Sequence, residues 1–124
     1  GMIVCEEMCT GNRYSEHLVD ENGNTIDEMV ENLTRRYLGS INCACFTPNT
    51  ERVDDIIRLV KEYNIDGVID VNLKFCTLYD TEGTIVEKAL KEAKIPVLGI
   101  ETDYTDADSE QLKTRIGAFI EMLS

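Results

Sequence analysis

Basic side chains are scarce in this sequence, with 12 lysines and arginines against 24 aspartates and glutamates, for a formal charge of -12. Nucleic acid or an anionic membrane surface would be repelled over most of such a protein, so neither is expected as a partner. No apolar run approaches the roughly 20 residues needed to span a bilayer. The N-terminus also lacks the basic region and apolar stretch of a signal peptide, so a cytoplasmic location is expected. Gly1 ahead of Met2 reads as a remnant of cloning or as the start of a piece cut from a longer gene. The sole histidine, His17, stands in a polar loop, where a solvated side chain is expected. Zinc-type CxxC pairs are absent, and "CAC" (Cys43 to Cys45) has no matching second pair, which disfavours a self-contained zinc site.

What is present is globular. Hydrophobic residues make up 43% of the 124 and charged ones 29%, with neither low-complexity segment nor internal repeat, so residues 1–124 are expected to form a single domain around one core. Five cysteines, Cys5, Cys9, Cys43, Cys45 and Cys76, are an odd number without secretory context. A disulfide framework is therefore disfavoured, leaving metal binding, redox chemistry or burial.

Short apolar runs alternate with segments of helical period, the pattern of an α/β domain with a parallel sheet. "MIVCE" (Met2 to Glu6) is the first expected strand, and Ile26, Met29, Val30, Leu33 and Tyr37 mark a helix face ended by Gly39. "SINCACF" (Ser40 to Phe46) is the second strand, followed by a helix with Val53, Ile56, Ile57, Val60 and Tyr63 in one stripe and Asn49 or Thr50 as cap. "DGVIDV" (Asp66 to Val71) is apolar enough for a central strand covered on both faces. A helix through Ile85, Val86, Ala89, Leu90 and Ala93 leads to the strand "PVLGIE" (Pro96 to Glu101). The closing helix carries Leu112, Ile116, Phe119, Ile120 and Leu123, with Asp106 or Asp108 as cap. Right-handed crossovers then predict an open four-stranded parallel sheet with helices on both faces, a flavodoxin-like or Rossmann-like three-layer sandwich.

Ligands of such sheets bind outside the carboxyl ends of the strands. Cys9 follows the first expected strand, Cys43 and Cys45 end the second, Cys76 follows the third, and "ETDY" (Glu101 to Tyr104) follows the fourth. Three cysteine-bearing segments thus converge on one rim. A thiol near a helix N-terminus is favoured as the thiolate that binds metal or attacks electrophiles, and Cys76 is placed for that. Cysteine is also among the most buried residue types, so simple packing is the competing reading for each of the five, and the preferred one for Cys5. The acids Glu6, Glu7, Asp70 and Asp103 at strand ends are alternative cation or acid-base groups, although 24 acids make such clustering common. Tyr14, Phe75 and Tyr79 would either shield a site or pack. The strand order also suits a phospho-accepting receiver domain, but such domains need a fifth strand and following lysine where this chain has a helix.

The segments "CEEMCTG" (Cys5 to Gly11), "DGVIDVNLKFC" (Asp66 to Cys76) and "IPVLGIETDYTDADSEQLKTRIGAFIEML" (Ile95 to Leu123) carry a resemblance. The chain resembles the C-terminal domain of the 2-hydroxyacyl-CoA dehydratase and benzoyl-CoA reductase family, also called the 2-hydroxyglutaryl-CoA dehydratase D-component family. The resemblance implies part of a lyase of anaerobic metabolism. In such enzymes a [4Fe-4S] cluster assists radical dehydration of an (R)-2-hydroxyacyl-CoA, and a separate ATP-hydrolysing activator supplies the electron. It implies cluster ligation by Cys76, in the matching "FC" segment, and makes Cys9 a weaker cofactor-binding candidate. It covers only the closing part of a family member, so a related subunit or upstream domains are implied as partners. Two sources of the remaining ligands stay open: such partners, or Cys9, Cys43, Cys45 and Cys76 acting on one chain or across a homodimer. The alternative function is a stand-alone, non-catalytic binding or regulatory α/β domain with structural cysteines.

Overall fold

The structure is a computed structural model that describes residues 1–5, 18–39, 43–46 and 48–124. Among these it has four helices and two strands: α1 (Ile26–Leu38), α2 (Thr50–Glu62), β1 (Val68–Leu73), α3 (Thr77–Glu92), β2 (Val97–Thr102) and α4 (Ser109–Leu123).

Each helix falls where apolar periodicity predicts it, and local chemistry sets its ends. Thr25 opens α1 through a capping box: the Glu28 backbone N–H donates to the Thr25 hydroxyl (3.3 Å), and the Glu28 carboxylate accepts from the Thr25 N–H (3.0 Å). Helices α2 and α3 end alike. Asn64 and Lys94 adopt left-handed backbone conformations (φ 52° and 60°), and Ile65 and Ile95 donate back to the carbonyls of Val60 and Leu90, each at 2.9 Å. These are Schellman motifs, which turn each chain sharply toward its following strand.

The strands β1 and β2 pair in parallel, from Val68 opposite Val97 to Leu73 opposite Thr102. β1 thus begins and ends two residues later than the "DGVIDV" run predicts. The ladder opens where the Val68 N–H reaches the Pro96 carbonyl and runs on to the Lys74 N–H and the Thr102 carbonyl, so Asn72 and Leu73 are included.

Helices α2 and α3 cover one sheet face. Ile56, Val86 and Leu90 are buried there, flanked by Val53, Ile57, Val68, Ile95 and Val97. α3 comes so close to β1 at Gly83 that a Cβ there would lie 2.7 Å from Asp70 Oδ2 and 2.9 Å from Asn72 Nδ2. Helix α4 packs on the opposite face against β2, with Ile100 and Phe119 buried.

The N-terminal strands have a different standing. Glu6 of the first expected strand and residues 40–42 of the second lie outside the described residues. Residues 2–5 carry no strand, and 43–46 form a turn closed by the Phe46 N–H and the Cys43 carbonyl (3.0 Å). The sheet of the described residues therefore has two strands. β1 is covered on one face, while Ile69, Val71 and Leu73 on the other are 38%, 49% and 39% exposed.

Candidate functional site

The two strands deliver two loops to their carboxyl ends, and these loops are tied together. From β1 the chain passes through Lys74, Phe75 and Cys76 directly into α3; from β2 it passes through residues 103–108 into α4. The Lys74 ammonium donates to Asp103 Oδ2 at 3.0 Å and also to Asp108. Asp108 is the N-cap residue of α4 but its side chain makes no capping hydrogen bond, being engaged by Lys74. Asp103 Oδ1 accepts from the Thr105 backbone N–H (2.8 Å) and hydroxyl. The Thr105 hydrogen bonds, assisted by Lys74, hold the Asp103 carboxyl down to about 2. Hydrogen bonds donated to Asp108 and then to Asp103 raise Lys74 above the ordinary lysine range.

Cys76 occupies the N-cap position of α3 without a side-chain capping bond. Its backbone N–H donates to the Leu73 carbonyl and its carbonyl accepts from the Asp80 N–H, both at 3.0 Å, so the main chain is fixed and the partly buried thiol is left uncommitted to the helix end. Phe75 has a φ of 69°, a left-handed conformation that costs an L-residue roughly 1–2 kcal/mol. Its ring is 97% exposed, so burial of that ring does not offset the cost. Tyr104, on the facing loop, is 92% exposed. Among the described residues the Phe75 ring is therefore not packed into the core.

Beneath the rim lies a buried polar cluster that reading the sequence missed. Arg52 of α2 is only 3% exposed and stacks 5.2 Å from the centre of the Tyr79 ring, with Glu82 of α3 at 3.8 Å. Asn49 does not cap α2 with its side chain; its amide donates to Glu82 Oε1 (2.8 Å) and to the Cys43 carbonyl (3.2 Å). Cys43 Sγ lies 3.8 Å from the Tyr79 hydroxyl. Asp70 points into the same layer, where desolvation raises its carboxyl above the ordinary range, opposed by Arg52 and by the Asn72 amide. The only hint was helical spacing: Arg52, Ile56 and Leu59 share a buried line, but a cation on such a line is ordinarily read as solvated.

Of the expected site residues, Cys76 stands on the rim, and Cys43 meets the first turn of α3 through Tyr79. Cys45 is exposed, and Cys5 is partly buried outside any strand. Cys9, His17, Glu6, Glu7 and Tyr14 lie outside the described residues. Among the described residues no three histidine, cysteine or acidic side chains are grouped to hold a metal ion. Among the described residues, Cys76 is thus the thiol that follows β1 on the rim.

With that geometry established, comparisons identify the setting. The model of the family "2-hydroxyglutaryl-CoA dehydratase, D-component" matches residues 1–123. The protein of Escherichia coli (strain K12) named "Putative dehydratase subunit YjiM" is 40% identical over 124 residues, covering 99% of this chain and 31% of that protein. The (R)-phenyllactyl-CoA dehydratase beta subunit of Clostridium sporogenes is 30% identical over 121 residues, covering 98% of this chain and 31% of that subunit. The chain thus spans about a third of the length of these curated relatives. Matched along nearly its whole length, it belongs to the 2-hydroxyglutaryl-CoA dehydratase D-component family.

Proposed function

We propose that this chain is the cluster-facing C-terminal domain of a 2-hydroxyacyl-CoA dehydratase, with Cys76 a ligand of a [4Fe-4S] cluster and Cys9 a second contributor. One observation carries the reading: the chain belongs to a dehydratase family, and its Cys76 stands at a helix N-terminus on the carboxyl rim of the sheet, with its side chain unused by the helix cap. When bound, the cluster would supply one-electron chemistry for dehydration of an (R)-2-hydroxyacyl-CoA. The chain's own contribution is to hold a thiolate where the α3 N-terminus favours negative charge, on a main chain fixed by the Leu73 and Asp80 bonds.

Ligands beyond Cys76 and Cys9 we assign to upstream domains or a related dehydratase subunit. An ATP-dependent activator would supply the electron. No helix of the described residues is long and apolar enough to cross a membrane, which suits the cytoplasmic setting we propose. In the same reading two further strands flank β1 and β2, giving the expected four-stranded sheet. Right-handed crossovers then put α1 opposite α2, on the α4 side, where its stripe of Ile26, Met29, Val30, Leu33 and Tyr37 would cover Ile69, Val71 and Leu73.

The test is iron and sulfide content after anaerobic purification and reconstitution with the partner subunit. Cys76→Ser should lower bound iron by about a quarter or more, the share of one iron in a four-iron cluster. Equal iron in the variant and the parent would overturn ligation by Cys76.

A further inference from the structure

The turn that presents Cys76 needs something to hold it. Phe75 takes a disfavoured backbone conformation with its ring in solvent, so neither local propensity nor burial of that side chain explains why the turn persists. Backbone bonds from Lys74 to Thr102 (2.8 Å), Cys76 to Leu73 and Thr77 to Phe75 (3.1 Å) set its outline. Each lies within the turn or continues the ladder, and none reaches the loop beyond β2.

The reach across the rim comes from a side chain. Lys74 binds Asp103, the first residue after β2, and Asp108, the N-cap residue of α4. Its ammonium therefore grips both ends of the passage from β2 to α4, residues 103–108. Side-chain exposures of 31% for Lys74, 34% for Asp103 and 28% for Asp108 set this cluster apart from a solvated ion pair between two mobile side chains.

We propose that Lys74 is a positioning residue, which by locking the β1–α3 turn to the β2–α4 loop fixes the direction in which Cys76 presents its thiol. The functional weight of this role rests on the assignment of Cys76 as a cluster ligand, but the role itself is a property of the unloaded chain. Lys74 touches neither cluster nor substrate; it acts through the turn.

The test is alkylation of Cys76 in the folded, unloaded protein, followed by peptide mass spectrometry, with amide exchange over residues 74–80 read in parallel. Lys74→Met should change the Cys76 alkylation rate by about threefold or more and speed exchange in that segment, because local opening governs both. Lys74→Arg, which keeps the charge, should return the rate to within about twofold of the parent, and Asp108→Asn should shift it in the same direction as Lys74→Met. Should Lys74→Met fail to fold, Asp108→Asn alone decides. Rates unchanged in both variants, or a Lys74→Arg protein no different from Lys74→Met, would overturn the proposal. After reconstitution, the electron paramagnetic resonance of the cluster should shift in Lys74→Met. If Cys76→Ser leaves iron unchanged while Lys74→Met alters alkylation, the ligand assignment falls and the positioning role stands; the reverse pattern removes the positioning role alone.

Discussion

The two faces of β1 are opposites in an unexpected sense. The face under α3 is covered, yet Asp70 and Asn72 project there; the opposite face is open, yet it carries Ile69, Val71 and Leu73. A half-buried strand ordinarily shows its polar residues to water. The inversion teaches that each face answers to something beyond its own helix. On the covered side, Gly83 lets α3 approach closely, the Asn72 amide donates to Asp70, and Arg52, held with Glu82 and near Asn49, offsets part of the cost of burying the Asp70 carboxylate. On the open side, a contiguous aliphatic row is exposed among the described residues, the face that the proposed arrangement assigns to α1.

The comparison is broken most severely from the covered side. Leu90 is fully buried between α3 and the sheet, and Leu90→Ala should lower unfolding stability by about 3 kcal/mol in denaturant melts, through lost burial and the cavity left behind. A loss of less than about 1 kcal/mol would mean that this core is not the structural centre. On the open side, Val71→Asp should cost about 2 kcal/mol if the row is covered, because a carboxylate would be trapped against apolar surface. A change below about 0.5 kcal/mol would place that face in water and remove α1 as its cover.

Acid sharpens the contrast with the smallest effect. Asp103, at the rim, has its carboxyl lowered to about 2, so its bonds to Thr105 and Lys74 stabilise the fold above the ordinary carboxylate range. That contribution is lost as pH falls from about 4 towards 2. Asp70 behaves oppositely: its carboxyl is raised, so the folded chain binds its proton more readily, and burial of the charge destabilises the fold above that raised value. Carboxyl-carbon titration by NMR should find Asp103 below and Asp70 above the ordinary aspartate value. Asp103→Asn should reduce the loss of stability below pH 4, and Asp70→Asn should remove an opposing trend just above it.

Much of this was legible in the residues. Apolar spacing located α1 to α4, because a buried stripe must recur every three to four positions whatever it packs against. The runs at Asp66 to Val71 and Pro96 to Glu101 located both strands, with β1 displaced by two residues because a ladder ends where its partner's carbonyls end. Asn49 and Asp108 were expected as caps, and they hold those positions. Their side chains serve tertiary contacts instead, with Glu82 and Lys74, which helix chemistry alone does not foretell. Cys76 was found from strand order and family resemblance together.

The sequence by itself determined the helices, the parallel α/β pattern, the family, and the placement of one thiol just after β1. These follow from short-range periodicity and from motifs that survive in the linear order. Only the tertiary structure decided that Arg52 is buried, that Asp70 lies beneath α3, and that Lys74 spans two loops to Asp103 and Asp108. Each of those depends on which residues meet across a separation of about thirty positions, and a charged side chain carries no mark in the sequence of whether its partner, or water, awaits it.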